Sequence, residues 1–251
     1  MSDSTVVFIT GVGKGLGRGL LEAYLLRPNH TVIGSVRDKN APIAEVLNKL
    51  PKAEGSNLIL VSIEATSATD VPKAMEDLAA AGIDHVDIAI PNSGFTPTPG
   101  PLDDVDVDTV VESLNINSVG PVYLYKGIKP LLEKSKKSPK WAVMSTGAAS
   151  ITNIERHSAQ NVLAYGMSKA SQNFLTLAIH SANPWLISFA MHPGLVQTEM
   201  GNLGARMMGL EKAPDTVEDS VNKIVAVIDA ATRETTSGRF LNTMDGTEFP
   251  W

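Results

Sequence analysis

The stretch that most constrains this chain is Gly11-Val12-Gly13-Lys14-Gly15-Leu16-Gly17. It follows the β-branched run at residues 6–10, which reads as a buried strand. It opens residues 16–27, where Leu16, Leu20, Ala23 and Tyr24 recur at helical spacing. Glycines permit positive φ and a close backbone approach, and a helix start presents free N–H groups to an anion. Strand, glycine turn and helix in that order form the beginning of a βαβ unit that cradles a dinucleotide pyrophosphate.

The alternation continues down the chain. Strands are predicted at residues 31–36, 58–62, 86–90, 141–144 and 186–192, with an edge strand at 239–242. Helices are predicted at 71–81, 105–126, 162–183 and 217–231, the last capped by Pro214-Asp215-Thr216 with Asp219 following. Short apolar strands alternating with helices predict a parallel sheet covered on both faces. No repeat or interdomain linker interrupts the pattern. The expectation is α/β: a single-domain, doubly wound parallel sheet of the Rossmann type over residues 1–251.

Composition narrows the functional classes. Lys and Arg number 21 against 27 Asp and Glu, a net charge of −6 that argues against a nucleic-acid or anionic-membrane binder. There is no cysteine, which removes disulfides and thiolate catalysis, and the five histidines show no paired ligand spacing, so no metal site is expected. No apolar run reaches the roughly 18 residues of a membrane span, and the opening MSDSTVVFITG lacks the basic segment of a secretory leader. A cytoplasmic enzyme or binding domain is the default reading.

Two further patterns carry chemistry. The second strand runs into Arg37 and Asp38, at the place where an acid selects NAD and a base accepts the 2′-phosphate of NADP. Arg37 can fork onto a phosphate and Lys14 can add a second cation, so NADP(H) is the expected cofactor. Tyr165 and Lys169 stand four apart, on one face of a predicted helix. A phenol has an ordinary pKa of about 10, and a neighbouring ammonium would favour its ionised form. Such a group can give a proton to a carbonyl oxygen as hydride reaches the carbon. A Tyr and a Lys at this spacing are ordinary by themselves; the glycine loop gives them weight.

Taken together these residues resemble the short-chain dehydrogenase/reductase family over nearly the whole chain. Its TGxxxGxG appears as Thr10-Gly11 through Gly15-Leu16-Gly17, its YxxxK as Tyr165 to Lys169, and its PGxxxT as Pro193-Gly194 to Thr198. Its NNAG becomes Pro91-Asn92-Ser93-Gly94, a departure at two positions that keeps Asn92 for the cofactor, and its active-site asparagine matches Asn117. The resemblance implies that Tyr165 is the general acid. Lys169 would lower its pKa and hold the nicotinamide ribose, and Asn117 would hold a water in a proton relay. Glu64 would contact the adenine, and Val196 and Thr198 the nicotinamide end. The family commonly ends its fifth strand in Ser-Ser, whereas this chain has Ser145-Thr146. Register favours Thr146 as the active-site hydroxyl and leaves Ser145 as the rival, since successive strand residues face opposite ways.

Gly17-Arg18-Gly19-Leu20 and the ending Asp245-Gly246-Thr247 to Pro250-Trp251 are similar to a branch holding fungal norsolorinic acid ketoreductases, C-factor-like proteins and sniffer-type carbonyl reductases. The implied activity is NADPH-dependent reduction of a ketone or aldehyde on an apolar, aromatic or secondary-metabolite substrate. The alternative keeps the fold but recruits it for cyclisation, isomerisation or regulation. Phe95, Ile151, Ile154, Met200, Met207 and Met208 are candidates for the pocket mouth, and His192 is read as a packing residue. The family implies a homodimer or homotetramer built through the helices bearing Asn117 and Tyr165.

Overall fold

In β1 (Thr5–Thr10) successive side chains enter two separate cores: Val7 and Ile9 lie in one, Val6 and Phe8 in the other. A strand buried on both faces needs helices on both, and the chain supplies them. The computed structural model describes residues 4–251; Met1–Asp3, where the segment read as lacking a leader begins, lie outside the described residues.

In chain order the elements are β1, α1 (Gly15–Leu25), β2 (His30–Val36), α2 (Pro42–Asn48), β3 (Asn57–Ser62), α3 (Asp70–Ala80), β4 (Ile88–Ile90), α4 (Val107–Leu114) and α5 (Gly120–Leu132). They continue with β5 (Lys140–Met144), α6 (Leu163–Ala182), β6 (Ile187–His192), α7 (Glu199–Met207), α8 (Val217–Ala230) and β7 (Phe240–Asn242). The strands form one sheet in the order β3-β2-β1-β4-β5-β6-β7, and every pairing in it is parallel. Leu20, Leu21 and Tyr24 of α1 pack with Val221, Ile224 and Ile228 of α8 on one face. Leu78 of α3, Leu124 and Ile128 of α5 and Ile179 of α6 cover the other. Strand order reverses between β1 and β4, and ligands of such sheets bind at the carboxyl ends of the strands beside that reversal.

Three elements differ from the sequence expectation. The helix expected over 105–126 starts at Val107, continues to Leu132, and is broken by a π-helical turn at Asn115–Val119. Pro121 has no N–H to give the carbonyl of residue 117, and the ladder widens just before it. That turn leaves Asn117 fully buried. Helix α2 went unread because, at seven residues, it buries only Ala44 and Leu47 and shows no full period. Helix α7 is capped by Thr198, whose hydroxyl accepts from Gly201 N at 3.0 Å. The expected cap of α8 is present, with Thr216 Oγ1 accepting from Asp219 N at 3.1 Å.

Candidate active site

The glycine loop is fixed from both neighbouring strands. Gly11 N and Val12 N donate to Ser35 O of β2, each at 3.0 Å. Asn92, just past β4, donates from its side chain to Thr10 O at 2.9 Å, and its own N–H meets Thr10 Oγ1 at 2.9 Å. The side chain of Asn92 thus ties the loop to β4. Gly15 has φ of +59°, a left-handed conformation that favours glycine. At Gly17 a Cβ would lie 2.2 Å from Gly11 O, so a side chain there would fill the cradle. No side chain caps the start of α1 and its first turn holds no acid. The N–H groups around Gly15, Leu16 and Gly17 therefore suit an anion.

Arg37 directly follows β2, is exposed, and makes no ion pair among the described residues. Lys14, the other expected phosphate cation, is exposed and ion-paired with Glu199 of α7. Glu64 follows β3, half-buried, with its N–H bonded to Asp70 Oδ2 at 2.9 Å. Val196 is buried in the loop after β6, and the Thr198 methyl would meet a Cβ at Gly15 at 3.3 Å. These residues, distant in sequence, converge on the carboxyl ends of β1, β2, β3, β4 and β6, in an arrangement that fits a dinucleotide.

Across the cleft lie the groups suited to proton chemistry. Tyr165 and Lys169 are one turn apart on α6, and the Thr146 side chain lies near the Tyr165 phenol. Ser145 faces away, buried, and donates to Asn173 Oδ1 at 2.7 Å. Pleat alternation past the end of β5 separates the two hydroxyls in this way. Burial pushes the Tyr165 phenol up to about 12, with the Thr146 side chain pulling the other way. Burial also pushes the Lys169 ammonium down to about 8. The Lys169 ammonium donates to Met144 O at 2.9 Å and to Gln172 Oε1 at 2.8 Å.

Gln172 escaped the sequence reading. It lies three residues from Lys169 on the buried face of α6 and is itself fully buried, so helical spacing from the lysine was the available signal. Asn117 donates to Phe95 O at 2.7 Å and Ser168 Oγ at 2.9 Å, and accepts from Phe95 N at 2.8 Å. It thereby ties the loop after β4 to α6. A Cβ at Gly94 would stand 3.4 Å from Asn117 Oδ1 and 3.5 Å from Lys169 Nζ, so both atoms border the same small space.

A cavity of about 460 Å³ opens beside Tyr165, between residues 95–106 and the start of α6, with Phe95, Val162 and Leu163 in its wall along with Asp104, Asp106 and Glu112. Phe95 is where the pocket-mouth reading put it. Ile151, Ile154, Met200, Met207 and Met208 are exposed outside that cavity.

The short chain dehydrogenase family pattern matches residues 5–207. The chain belongs to the short-chain dehydrogenase/reductase family. A short-chain dehydrogenase of Neurospora crassa, srdF, is 48% identical over 254 residues, covering 100% of this chain and 99% of that one. The norsolorinic acid ketoreductase of Aspergillus parasiticus is 38% identical over 250 residues, covering 99% of this chain and 92% of the other. Among solved structures, the NADPH-bound carbonyl reductase from chicken fatty liver superposes with a TM-score of 0.85 at 25% identity, over 99% of each chain. This short-chain dehydrogenase/reductase is accordingly an oxidoreductase with a doubly wound nucleotide-binding fold. Among the described residues no helix is long and apolar enough to cross a membrane.

Proposed function

We propose that this chain reduces a ketone or aldehyde on an apolar substrate, using NADPH, with Tyr165 as the proton donor. The observation that carries this is a phenol lining the cavity, beside Thr146 and one turn from a buried ammonium. The names of the relatives support the reaction class: one is a ketoreductase, and the structural neighbour is a carbonyl reductase with NADPH bound.

The chain's own groups divide the work. The glycine loop and the uncapped start of α1 receive the pyrophosphate, Arg37 the 2′-phosphate, Glu64 the adenine, and Val196 and Thr198 the nicotinamide end. When bound, a reduced nicotinamide supplies the hydride. A phenol held near 12 is protonated at neutral pH, which is the state a proton donor requires. Thr146 holds the carbonyl oxygen by a hydrogen bond and aligns it with the phenol. Lys169, still mostly charged at pH 7, offsets the phenolate left after proton transfer and holds the ribose. Asn117 Oδ1 and Lys169 Nζ border one small space beside Gly94, where a water relaying the proton back to Tyr165 would be held. Phe95, Val162 and Leu163 give an apolar substrate a surface next to Tyr165, with Asp104, Asp106 and Glu112 farther along the wall disfavouring an anionic one.

The assembly is a homodimer or homotetramer. Met167, Ser171, Phe174 and Ala178 form an exposed stripe along α6, with Phe174 at 76% exposure, and Val111, Val119 and Val122 are exposed on the helix pair carrying Asn117. The test of function is NADPH consumption against a panel of aromatic ketones, quinones and aliphatic aldehydes. Turnover of at least one, lost in Tyr165→Phe, is the expected result. No consumption with any carbonyl would overturn the reading in favour of a non-reductive role.

A further inference from the structure

The turn that carries Thr146 is held from behind by residues far away in sequence. Gly147 N donates to His192 Nδ1 at 3.2 Å, so that nitrogen is an acceptor and the ring proton sits on Nε2. The His157 ring lies across the same glycine, where a Cβ would meet it at 3.2 Å. Phe249 packs edge-on against both imidazoles, its centroid 5.6 Å from His157 and 5.3 Å from His192. Phe249 is itself anchored, donating its N–H to Phe240 O at 2.7 Å. Beyond it, Pro250 O accepts from Ser150 Oγ at 2.6 Å, Trp251 O accepts from Thr152 Oγ1 at 3.1 Å, and the Trp251 ring stacks on Phe240. Residues 249–251 therefore strap β7 to the segment that leads out of β5.

We propose that His192, covered by Phe249, is a positioning residue for the Thr146 hydroxyl: its imidazole fixes Gly147, and with it the turn that presents Thr146 to Tyr165. The proposal rests on Thr146 serving carbonyl reduction, as set out above. Thr146 Oγ1 already accepts from Ala148 N at 3.3 Å, so the hydroxyl and the turn move together. Only a neutral imidazole can accept the Gly147 N–H. Burial under Phe249 pushes His192 down to about 4, His157 across the turn adds to this, and Asp245 opposes it. Arg156 stands beside His157 and disfavours its charged form too. His157, Asp245 and Arg156 are the charged or titratable groups that bear on the pair. The cluster thus keeps the acceptor available through the whole neutral range.

The experiment compares three variants of the full chain. His192→Asn keeps an acceptor near the place of Nδ1, His192→Leu removes it, and Phe249→Ala uncovers the ring; Phe249→Leu serves if the alanine variant does not fold. His192→Leu is expected to lower kcat about tenfold or more, the scale of loss from a slightly misplaced group, with the Kd for NADPH unchanged. His192→Asn should keep most of the wild-type kcat. Phe249→Ala should move the acid limb of kcat toward the ordinary histidine value, which a merely structural role would not do. A readout free of turnover is the pH titration of histidine-labelled protein by nitrogen NMR. There His192 should show an unprotonated Nδ1 well below the ordinary range, with the Gly147 amide shift following the same curve. Full kcat in His192→Leu, or a Gly147 amide indifferent to His192, would overturn the proposal. If no carbonyl is turned over, the reductase reading fails, and the Gly147 titration alone decides whether His192 holds the turn.

Discussion

Replacing Arg37 by alanine should erase most of the preference for NADPH over NADH. Arg37 is the cation directly following β2 with no ion pair among the described residues, and it is free to turn onto a 2′-phosphate. A charge-assisted hydrogen bond is worth roughly 1.5–3 kcal/mol, or about 10- to 150-fold at 1.4 kcal/mol per decade. The side chain is exposed, and solvent screening favours the lower end, about tenfold in the KM for NADPH. The KM for NADH should stay put, because NADH carries no 2′-phosphate. Lys14→Ala is the control: its ammonium is engaged by Glu199, so its loss should matter much less. Initial rates with both cofactors at low and high salt measure all of this, and the Arg37 effect should shrink as salt rises. Equal KM values in the wild type would refute the reasoning. A preference kept by Arg37→Ala and lost by Lys14→Ala would transfer the role to Lys14 and show that its ion pair opens on binding.

Tyr165→Phe should lower kcat by about 10²–10⁴-fold with little change in Tm, since only the phenolic hydroxyl is lost. Thr146→Ala should cut kcat strongly and Ser145→Ala weakly; the reverse ranking in steady-state rates would exchange their roles. In the wild type, kcat should decline as pH rises through about 8, where Lys169 loses its proton. Folding stability should fall as pH drops from 6.5 toward 4, because the unfolded chain protonates His192 in that window and the native state does not. The loss is up to about 3 kcal/mol, partly absent from His192→Asn in denaturant titrations at pH 7 and 5. Phe174→Glu should shift the light-scattering mass toward the monomer, and a wild type already monomeric at micromolar concentration would dismiss the assembly.

Much of the fold could be read because β1, β2, β5 and β6 are buried on both sides and are rich in apolar and β-branched residues. Helix α2 could not, since two buried residues do not make a period. Local pattern also placed Tyr165, Lys169 and the glycine loop, whose chemistry depends on near neighbours. It does not reveal a partner that is remote. Lys14 meets Glu199 across 185 residues of chain, and nothing in either neighbourhood announces the pair. Burial of Tyr165 is likewise set by the whole fold, and the partners of Lys169, Met144 O and Gln172, come from packing that local spacing does not show.

The all-parallel sheet has a consequence for how the molecule comes into being. No pair of its strands can close as a hairpin, so each ladder waits for a crossover to fold back. The central strand β1 illustrates the delay: its second neighbour, β4, arrives some eighty residues later, with Val7 facing Ile88. High contact order of this kind slows folding and leaves strand edges unpaired for longer than in a helical bundle of similar size. The cofactor cleft sits on that late β1–β4 seam, so a dinucleotide can bind only after the seam has closed, and bound dinucleotide opposes its reopening by mass action. Refolding yield from denaturant should therefore rise with added NADPH, while the early rate of collapse stays the same.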